Sequence, residues 1–357
     1  MSAVRLLVAG DPNQYTGGYL YDARIARALS ERGCVVENVG LAGRFPDADA
    51  VAARALEGAL ATCADGARVV IDGLALGALP DVLARHAHRL CVVALVHHPL
   101  ADEWGISPAL AERLRASERR ALALVRHVIV TSPTTARHLA AAYDVDAVRI
   151  STVEPGVDRP PVTARPPNPV PRMLCVATLV LRKGHAVLVD ALAQLRDVPW
   201  HCEFIGGERD PACARAVRAA IASRGLEGRI DWRGEVAPQH LSAAYGRADV
   251  FVLPSWYEGY GMAVTEALSH GLPVVTTTGG ALAETLPAGA GFSVPPGDAV
   301  ALAQALRRVL TDAASRERLS HEARAAARTL PTWDEAGQRF FDVLQRLRAP
   351  RVLRVEP

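Results

Sequence analysis

The chain has 357 residues, of which 50% are hydrophobic, more than one typical domain requires and suited to two α/β domains that each bury a substantial core. Its 40 basic and 38 acidic side chains leave a formal charge of +2, so bulk electrostatics calls for no nucleic-acid partner. The six cysteines, at positions 34, 63, 91, 175, 202 and 213, form no CxxC pair and fall mostly in apolar runs; they read as buried thiols in a reducing compartment, not as a disulfide frame or a zinc site.

Residues 4–9 form the first strand, and the apolar run RLLVAG is too short for a signal peptide. No later segment reaches the length of a membrane span, so a soluble, cytoplasmic protein is expected. After the loop GDPNQYTGG comes a helix from about Tyr19 to Arg32, closed by Gly33, and then the strand CVVENV. Gly17 and Gly18 therefore stand at a helix N-terminus, where they either admit a phosphate or an acceptor to backbone N–H groups or only relieve a tight turn. A helix near 47–63, strand ARVVIDG, a helix near 76–88 and strand LCVVALV lead to His97, His98 and Pro99. A long helix near 108–126, strand HVIVTS, helix 133–143 and strand AVRISTV complete this half. Such alternation implies a parallel, doubly wound sheet whose ligand edge lies at the strand C-termini.

His97 is at such an end. It could hydrogen-bond a sugar, but from the residues alone a polar side chain turning the chain at Pro99 is the better reading of a lone histidine. Two acid pairs, Asp47 with Asp49 and Asp144 with Asp146, have metal-binding spacing but open or close helices, so they read as solvated turns. Arg113, Arg115, Arg119 and Arg120 could touch anionic lipid. Interleaved with Glu112 and Glu118, they read better as a solvated face, which leaves at most a weak peripheral membrane contact.

Between Glu154 and Arg172 there are seven prolines, too many for a helix or a central strand, so 156–171 reads as a semi-rigid linker between a first domain, 1–155, and a second, 172–331. The second domain restarts the pattern: strand RMLCVATL, loop VLRKGH, a helix to about Arg196, strand HCEFIG, a helix near 210–224, strand RIDWRG and a helix near 238–246. Lys183 is the only lysine among the 40 cationic side chains. In a chain that otherwise uses arginine throughout, a lysine at a glycine-flanked strand end suggests that a compact ammonium is wanted there, and with Arg182 beside it the pair could neutralise a diphosphate.

The densest stretch runs from Asp249 to Glu284. A buried parallel strand, DVFVL, is ended by Pro254; Glu258, Gly259, Tyr260 and Gly261 form a loop; a helix begins near Met262 and stops at Gly271; and strand PVVTTT follows. A strand, glycine loop and helix in this order turn backbone N–H groups and the positive end of a helix dipole toward the sheet edge, where an anion belongs. Glu266, in the second helical turn, and Glu258, in the loop, can accept hydrogen bonds from hydroxyls on either side of it. An anion cradle with two hydroxyl-reading carboxylates describes a ligand with phosphate and sugar parts, a nucleotide sugar, although the spacing by itself is weak evidence. Beyond it lie strand GFSV, helices near 298–312 and 315–329, and an amphipathic segment anchored by Trp333, Phe340, Phe341, Leu344 and Leu347.

The turn ATL-x-x-RKGH, the loop after DWRG, and above all VLPSWYEGYGMAVTEAL followed by GLPVV and a GG turn resemble glycosyltransferase family 4, retaining enzymes of the GT-B type. The resemblance is dense from about 172 to 330 and thinner before. It implies a GT-B fold, two Rossmann-like doubly wound domains facing a central cleft, with the first domain completed by a C-terminal helix, 332–357. By the same resemblance Arg182 and Lys183 stabilise the leaving diphosphate, the N–H groups of Gly261, Met262, Ala263 and Val264 contact the donor, Glu266 takes the ribose hydroxyls and Glu258 the transferred sugar. The loop around Arg233 and Val236 would meet the base, His97 the sugar, and Gly17 and Gly18 match the family's glycine-rich first loop. Departures are Thr178, where many members carry an arginine, and His98 after the first histidine.

The expected activity is transfer of a hexosyl group from a UDP- or GDP-sugar to a hydroxyl of a small-molecule or lipid acceptor, with retention and with no cofactor or metal. A sugar-nucleotide epimerase on the same fold and a catalytically degenerate binding protein are the rivals.

Overall fold

A computed structural model of the protein describes residues 3–160 and 168–347. The centre of the proline-rich connection, 161–167, and the end of the expected C-terminal helix, 348–357, lie outside the described residues. The chain divides into two compact units: one runs over Met1–Gly156 and resumes at Pro331, and the other is Val157–Leu330.

The first unit is built on six parallel strands: β1 (Ala3–Ala9), β2 (Val35–Leu41), β3 (Arg68–Asp72), β4 (Cys91–Val96), β5 (His127–Val130) and β6 (Ile150–Thr152), in the order β2-β1-β3-β4-β5-β6. Every side chain of β4 is buried, as a run of CVVALV with no polar residue demands of a central strand covered on both faces, whereas β2 at the sheet edge is largely exposed. Leu7, Ile71, Ala94 and Val128 are among the fully enclosed side chains of its core. The order reverses between β1 and β3, which places a topological switch point at their carboxyl ends.

The second unit repeats the plan with β7 (Arg172–Val176), β8 (His201–Ile205), β9 (Ile230–Trp232), β10 (Val250–Leu253), β11 (Val274–Thr277) and β12 (Gly291–Val294), in the order β12-β11-β10-β7-β8-β9. Here the switch point falls between β7 and β10. Trp200 is the largest of its fully buried side chains, and its indole N–H donates to Leu195 O at 2.9 Å, which meets the requirement that a buried polar atom be paired.

The helix Trp333–Arg346 packs on the helix Gly17–Glu31 within the first unit. Gly337 makes this possible, since a Cβ there would stand 2.4 Å from the Ala28 methyl. The helix opens with a reciprocal cap in which Thr332 and Glu335 satisfy each other's backbone N–H groups. Phe340 and Leu344 face inward. No helix among the described residues is long and apolar enough to cross a membrane, and all six cysteines are free and buried.

Three local expectations are corrected. In place of one helix near 76–88 there are two short ones, Gly73–Leu76 and Pro80–Ala84, because Pro80 forces Leu79 out of helical geometry and then starts the second helix itself. The first part of AVRISTV is a 3₁₀ turn, Ala147–Arg149, opened by Asp146, whose carboxylate accepts from Val148 N. Glu118, expected on a solvated helix face, is fully buried and accepts the Leu100 N–H at 2.9 Å. Burial, then the charges of Asp102 and Asp72, push its carboxyl up to about 8 against that hydrogen bond. The arginines around it do lie outside, each ion-paired: Arg113 with Asp47, Arg115 with Glu112, Arg119 with Asp144 and Arg120 with Asp81.

Candidate functional site

In the second unit the chain leaving β7 forms a 3₁₀ turn, Leu181–Lys183, and then the helix His185–Ala193. Gly184 joins them at φ 68°, and a Cβ at that position would stand 2.2 Å from Pro254 O. Only glycine lets this turn press against the end of β10, because it accepts a positive φ and adds no side chain. The backbone seals the approach: Trp256 N donates to Arg182 O at 2.8 Å, and the Arg182 guanidinium donates to Tyr257 O at 2.7 Å.

This apposition brings Arg182, Lys183 and Glu258 together at the switch point. Lys183 Nζ lies 2.5 Å from Glu258 Oε1, and Arg182 Nη1 lies 3.4 Å from Oε2. Ser255, fully buried, adds a third donor, with Oγ 2.6 Å from Oε1. Burial alone would raise the Glu258 carboxyl, but the charges of Lys183 and then Arg182, with hydrogen bonds from Lys183 and Ser255, hold it down to about 2. Two cations around one carboxylate leave the cluster with a net positive charge. Ser255 carries no signal in the sequence that would have singled it out.

Glu258 is followed by the helix Met262–Ser269, which starts at Gly261 with φ 99°. A Cβ on Gly261 would meet Leu282 Cδ2 at 2.8 Å. The first-turn amides of a helix have no partner inside it, which makes this end an anion site in principle. Val264 is the exception to the expected set, since its N–H already donates to Gly261 O at 2.9 Å and its side chain is buried. Glu266, half-buried in the second turn, accepts a hydrogen bond from Tyr245 Oη at 2.8 Å, and the Tyr245 ring stacks on His270 at 4.9 Å. Tyr245 was not foreseen; it comes from the preceding helix, Pro238–Arg247. Arg233 and Val236 follow β9, the outer strand, where Arg233 pairs with Glu203 at 3.2 Å and Val236 packs on the core. Gly259 and Tyr260 lie buried in the loop between Glu258 and the helix, with Tyr260 O accepting from Thr285 Oγ1.

The first unit holds a second cluster, of the opposite make-up. His97, just past β4, places Nε2 3.1 Å from Asp22 Oδ1 and 3.6 Å from Asp72 Oδ2. Asp22 projects from the helix that begins at Gly17, and Asp72 ends β3. Gly18 lies against the ring: a Cβ there would stand 3.2 Å from His97 Cδ2. The Tyr21 ring meets the imidazole edge to face at 5.4 Å. Burial opposes a charge on His97, yet the charge and hydrogen bond of Asp22, with the charge of Asp72, raise its pKa overall. Burial and then Asp22 push the Asp72 carboxyl up to about 7. His98 turns aside to Glu103, at 3.3 Å. Asp72 was legible in principle, being a polar residue at the carboxyl end of a strand just as His97 is.

Two doubly wound parallel units, the second with a cationic cluster and a helix start at its switch point, define the GT-B class. Residues 170–312 match the family described as Glycosyl transferases group 1, and residues 72–159 match Glycosyltransferase Family 4. Over 243 residues, 63% of this chain, the sequence is 32% identical to D-inositol 3-phosphate glycosyltransferase of Xylanimonas cellulosilytica, and the match spans 58% of that relative's length. Among solved structures, sucrose-phosphate synthase of Thermosynechococcus elongatus superposes with a TM-score of 0.82 at 22% identity, covering 97% of this chain and 98% of the other. Anabaena HepE in complex with UDP and glucose superposes at 0.72, with 20% identity over 96% of this chain and 99% of that one. Both matched stretches are thus those of glycosyltransferase family models, and the chain has the GT-B fold.

Proposed function

We propose that the protein is a retaining glycosyltransferase that moves a hexosyl group from a UDP- or GDP-sugar to a hydroxyl of a small-molecule or lipid acceptor without a metal ion. The observation that carries this reading is the meeting of Arg182, Lys183 and Glu258 at the switch point, beside the helix start at Gly261. A departing nucleoside diphosphate develops negative charge, and preorganised donors in a site shielded from water stabilise it most. Arg182, Lys183 and the first-turn amides of the helix are such donors, and they supply the positive charge that a cation would otherwise bring.

In this reading Glu258 holds the two cations in place while the site is empty of donor. The diphosphate then competes for Lys183 and Arg182, and the released carboxylate accepts a hydroxyl of the sugar. Glu266, oriented by Tyr245, takes the ribose hydroxyls. The leaving phosphate accepts the acceptor's proton on the same face of the sugar, so no separate protein base is required. In the first unit, Gly17, Gly18 and His97 form the edge that meets the acceptor and the transferred sugar.

A thermal-shift panel of UDP-, GDP- and ADP-sugars tests the donor, since a ligand at a hundred times its Kd stabilises the folded state by about 2.7 kcal/mol. No rise in Tm with any of them would remove the donor assignment. The anomeric configuration of the product, read by NMR, tests retention, and unchanged turnover in EDTA tests the metal-free mechanism. Release of free nucleotide and a sugar epimer without an acceptor would establish the epimerase instead.

A further inference from the structure

We propose that Asp22 is a positioning residue for His97: its carboxylate, backed by Asp72, fixes a proton on Nε2 and holds the ring as an imidazolium at the ligand edge of the first sheet. The link to sugar transfer rests on the function proposed above, but the state of the ring can be tested without it.

The geometry is that of a ring clasped from two elements. Asp22 is 3% exposed and Asp72 8%, and both direct an oxygen at the same ring nitrogen, at 3.1 and 3.6 Å. A nitrogen facing two carboxylates is a donor, because an unprotonated Nε2 would set a lone pair against two negative charges. The other groups around the ring do not compete for it. Tyr21 meets the ring edge to face and spends its hydroxyl on Val153 O at 2.9 Å; Thr131 Oγ1 donates to the His97 carbonyl at 3.3 Å; Gly18 offers only backbone. His98 and Glu103 pair with each other next door, and the buried Glu118 is coupled to the cluster through the charge of Asp72. Asp72 Oδ1 is occupied by the Leu74 N–H at 3.0 Å, which leaves Oδ2 for the ring.

Stability gives no reason for a carboxylate at position 22. A buried ion pair at best balances the cost of desolvating its members, and an apolar side chain would fill that helix position without this cost. What Asp22 does supply is a fixed charge state and a fixed tautomer for the His97 ring at this edge of β4. Direct burial pushes the ring toward neutrality and the carboxylates push it back, and the carboxylates win.

The test is an NMR titration of the imidazole resonances in the full chain, which has 11 histidines, with His97 assigned by loss of its signals in His97→Gln. In the wild type, His97 is expected to titrate above the ordinary value of about 6.5. Asp22→Asn keeps the shape and an accepting oxygen but removes the charge, and should lower the His97 midpoint by about one unit or more. Asp22→Glu should restore part of it, and Asp72→Asn should lower it by less than Asp22→Asn does, which keeps the proposal testable if one variant fails to fold. In transfer assays, the pH at which acceptor kcat/KM falls should move with the ring's midpoint, while the Tm rise given by UDP or GDP alone stays unchanged, since the residues assigned to the diphosphate and the ribose lie in the other unit. The same His97 titration in Asp22→Asn and wild type would overturn the proposal. So would a ring that titrates normally in chelator and shifts with stoichiometric Zn²⁺, since the three side chains would then hold a cation in place of a proton. If the ring shifts as expected in a protein inert toward every nucleotide sugar, the positioning stands and the transferase reading falls.

Discussion

The two sheets of this protein place opposite clusters at the same topological position. At the edge of the second sheet one carboxylate, Glu258, lies between two cations, and at the edge of the first one imidazole, His97, lies between two carboxylates. Glu258 is buried and His97 half-buried; Glu258 is met from the turn after β7, and His97 from the helix after β1 and from the end of β3. Yet the carboxyl in the cationic cluster is held down to about 2, whereas Asp72 in the acidic one is pushed up to about 7. Burial acts in the same direction on both carboxyls, so the sign of the neighbouring charge decides the outcome. The fold supplies two equivalent sheet edges, and a handful of side chains makes one of them cationic and the other acidic.

The largest effect is expected from removing the ammonium. Lys183→Ala should lower kcat about 100-fold or more, the range seen when one preorganised donor to a developing anion is deleted. Steady-state kinetics with the matched donor checks this, and undiminished transfer would show that the second edge does not work as described. Glu258→Gln sharpens the contrast further: it abolishes the competitor for Arg182 and Lys183, so UDP or GDP alone should raise the Tm more than in the wild type, while sugar transfer falls.

Stability against pH separates the clusters next. Glu258, with a folded pKa held down, stabilises the protein above the ordinary carboxylate range, and that contribution is lost as pH falls toward about 2. Asp72 and Glu118 behave oppositely. Their folded pKa values, raised to about 7 and about 8, mean that the folded state binds more protons than the unfolded one, so stability falls as pH rises from the ordinary carboxylate range to those values. Asp72→Asn and Glu118→Gln should therefore raise the Tm at alkaline pH and flatten its decline, while Glu258→Gln flattens the acid limb. Tm measured across the pH range for the three variants checks both signs. The smallest effect is expected from Tyr245→Phe, which removes one hydrogen bond to Glu266, worth about 1 kcal/mol, and should raise donor KM roughly 5-fold with kcat nearly unchanged. A larger loss of kcat would mean that Glu266 acts on the reacting sugar rather than on the ribose.

The second edge was more legible than the first because its residues lie in two short, strongly patterned stretches. Arg182, Lys183 and Gly184 sit together, and Glu258, Gly261 and Glu266 fall within nine consecutive positions, so the strand, glycine loop and helix between them could be read from local pattern. The cluster of the first unit is spread over Asp22, Asp72 and His97, with about fifty and twenty-five positions between successive members, and no periodicity joins them. His97 was noticed for its place at a strand end, and the same rule applied to Asp72 would have found a second member. Asp22 gave no sign, since an aspartate in a helix reads as a solvated residue until the sheet is assembled beside it. Glu118 misled for the same reason: its neighbours Arg119 and Arg120 are exposed, and only the packing of the segment Leu100–Asp102 shows that position 118 faces inward.

Sequence by itself determined the number of strands in each unit and their succession along the chain, the glycines at 184 and 261 that take a positive φ, and the identity of the cations, because each depends on neighbours within a few residues. Tertiary structure alone decided which carboxylates are paired, which are left to share a proton, and which amide of the helix start is already engaged. Those properties depend on distances of a few ångströms between segments far apart in the chain, and on how much water the assembled sheet leaves around them.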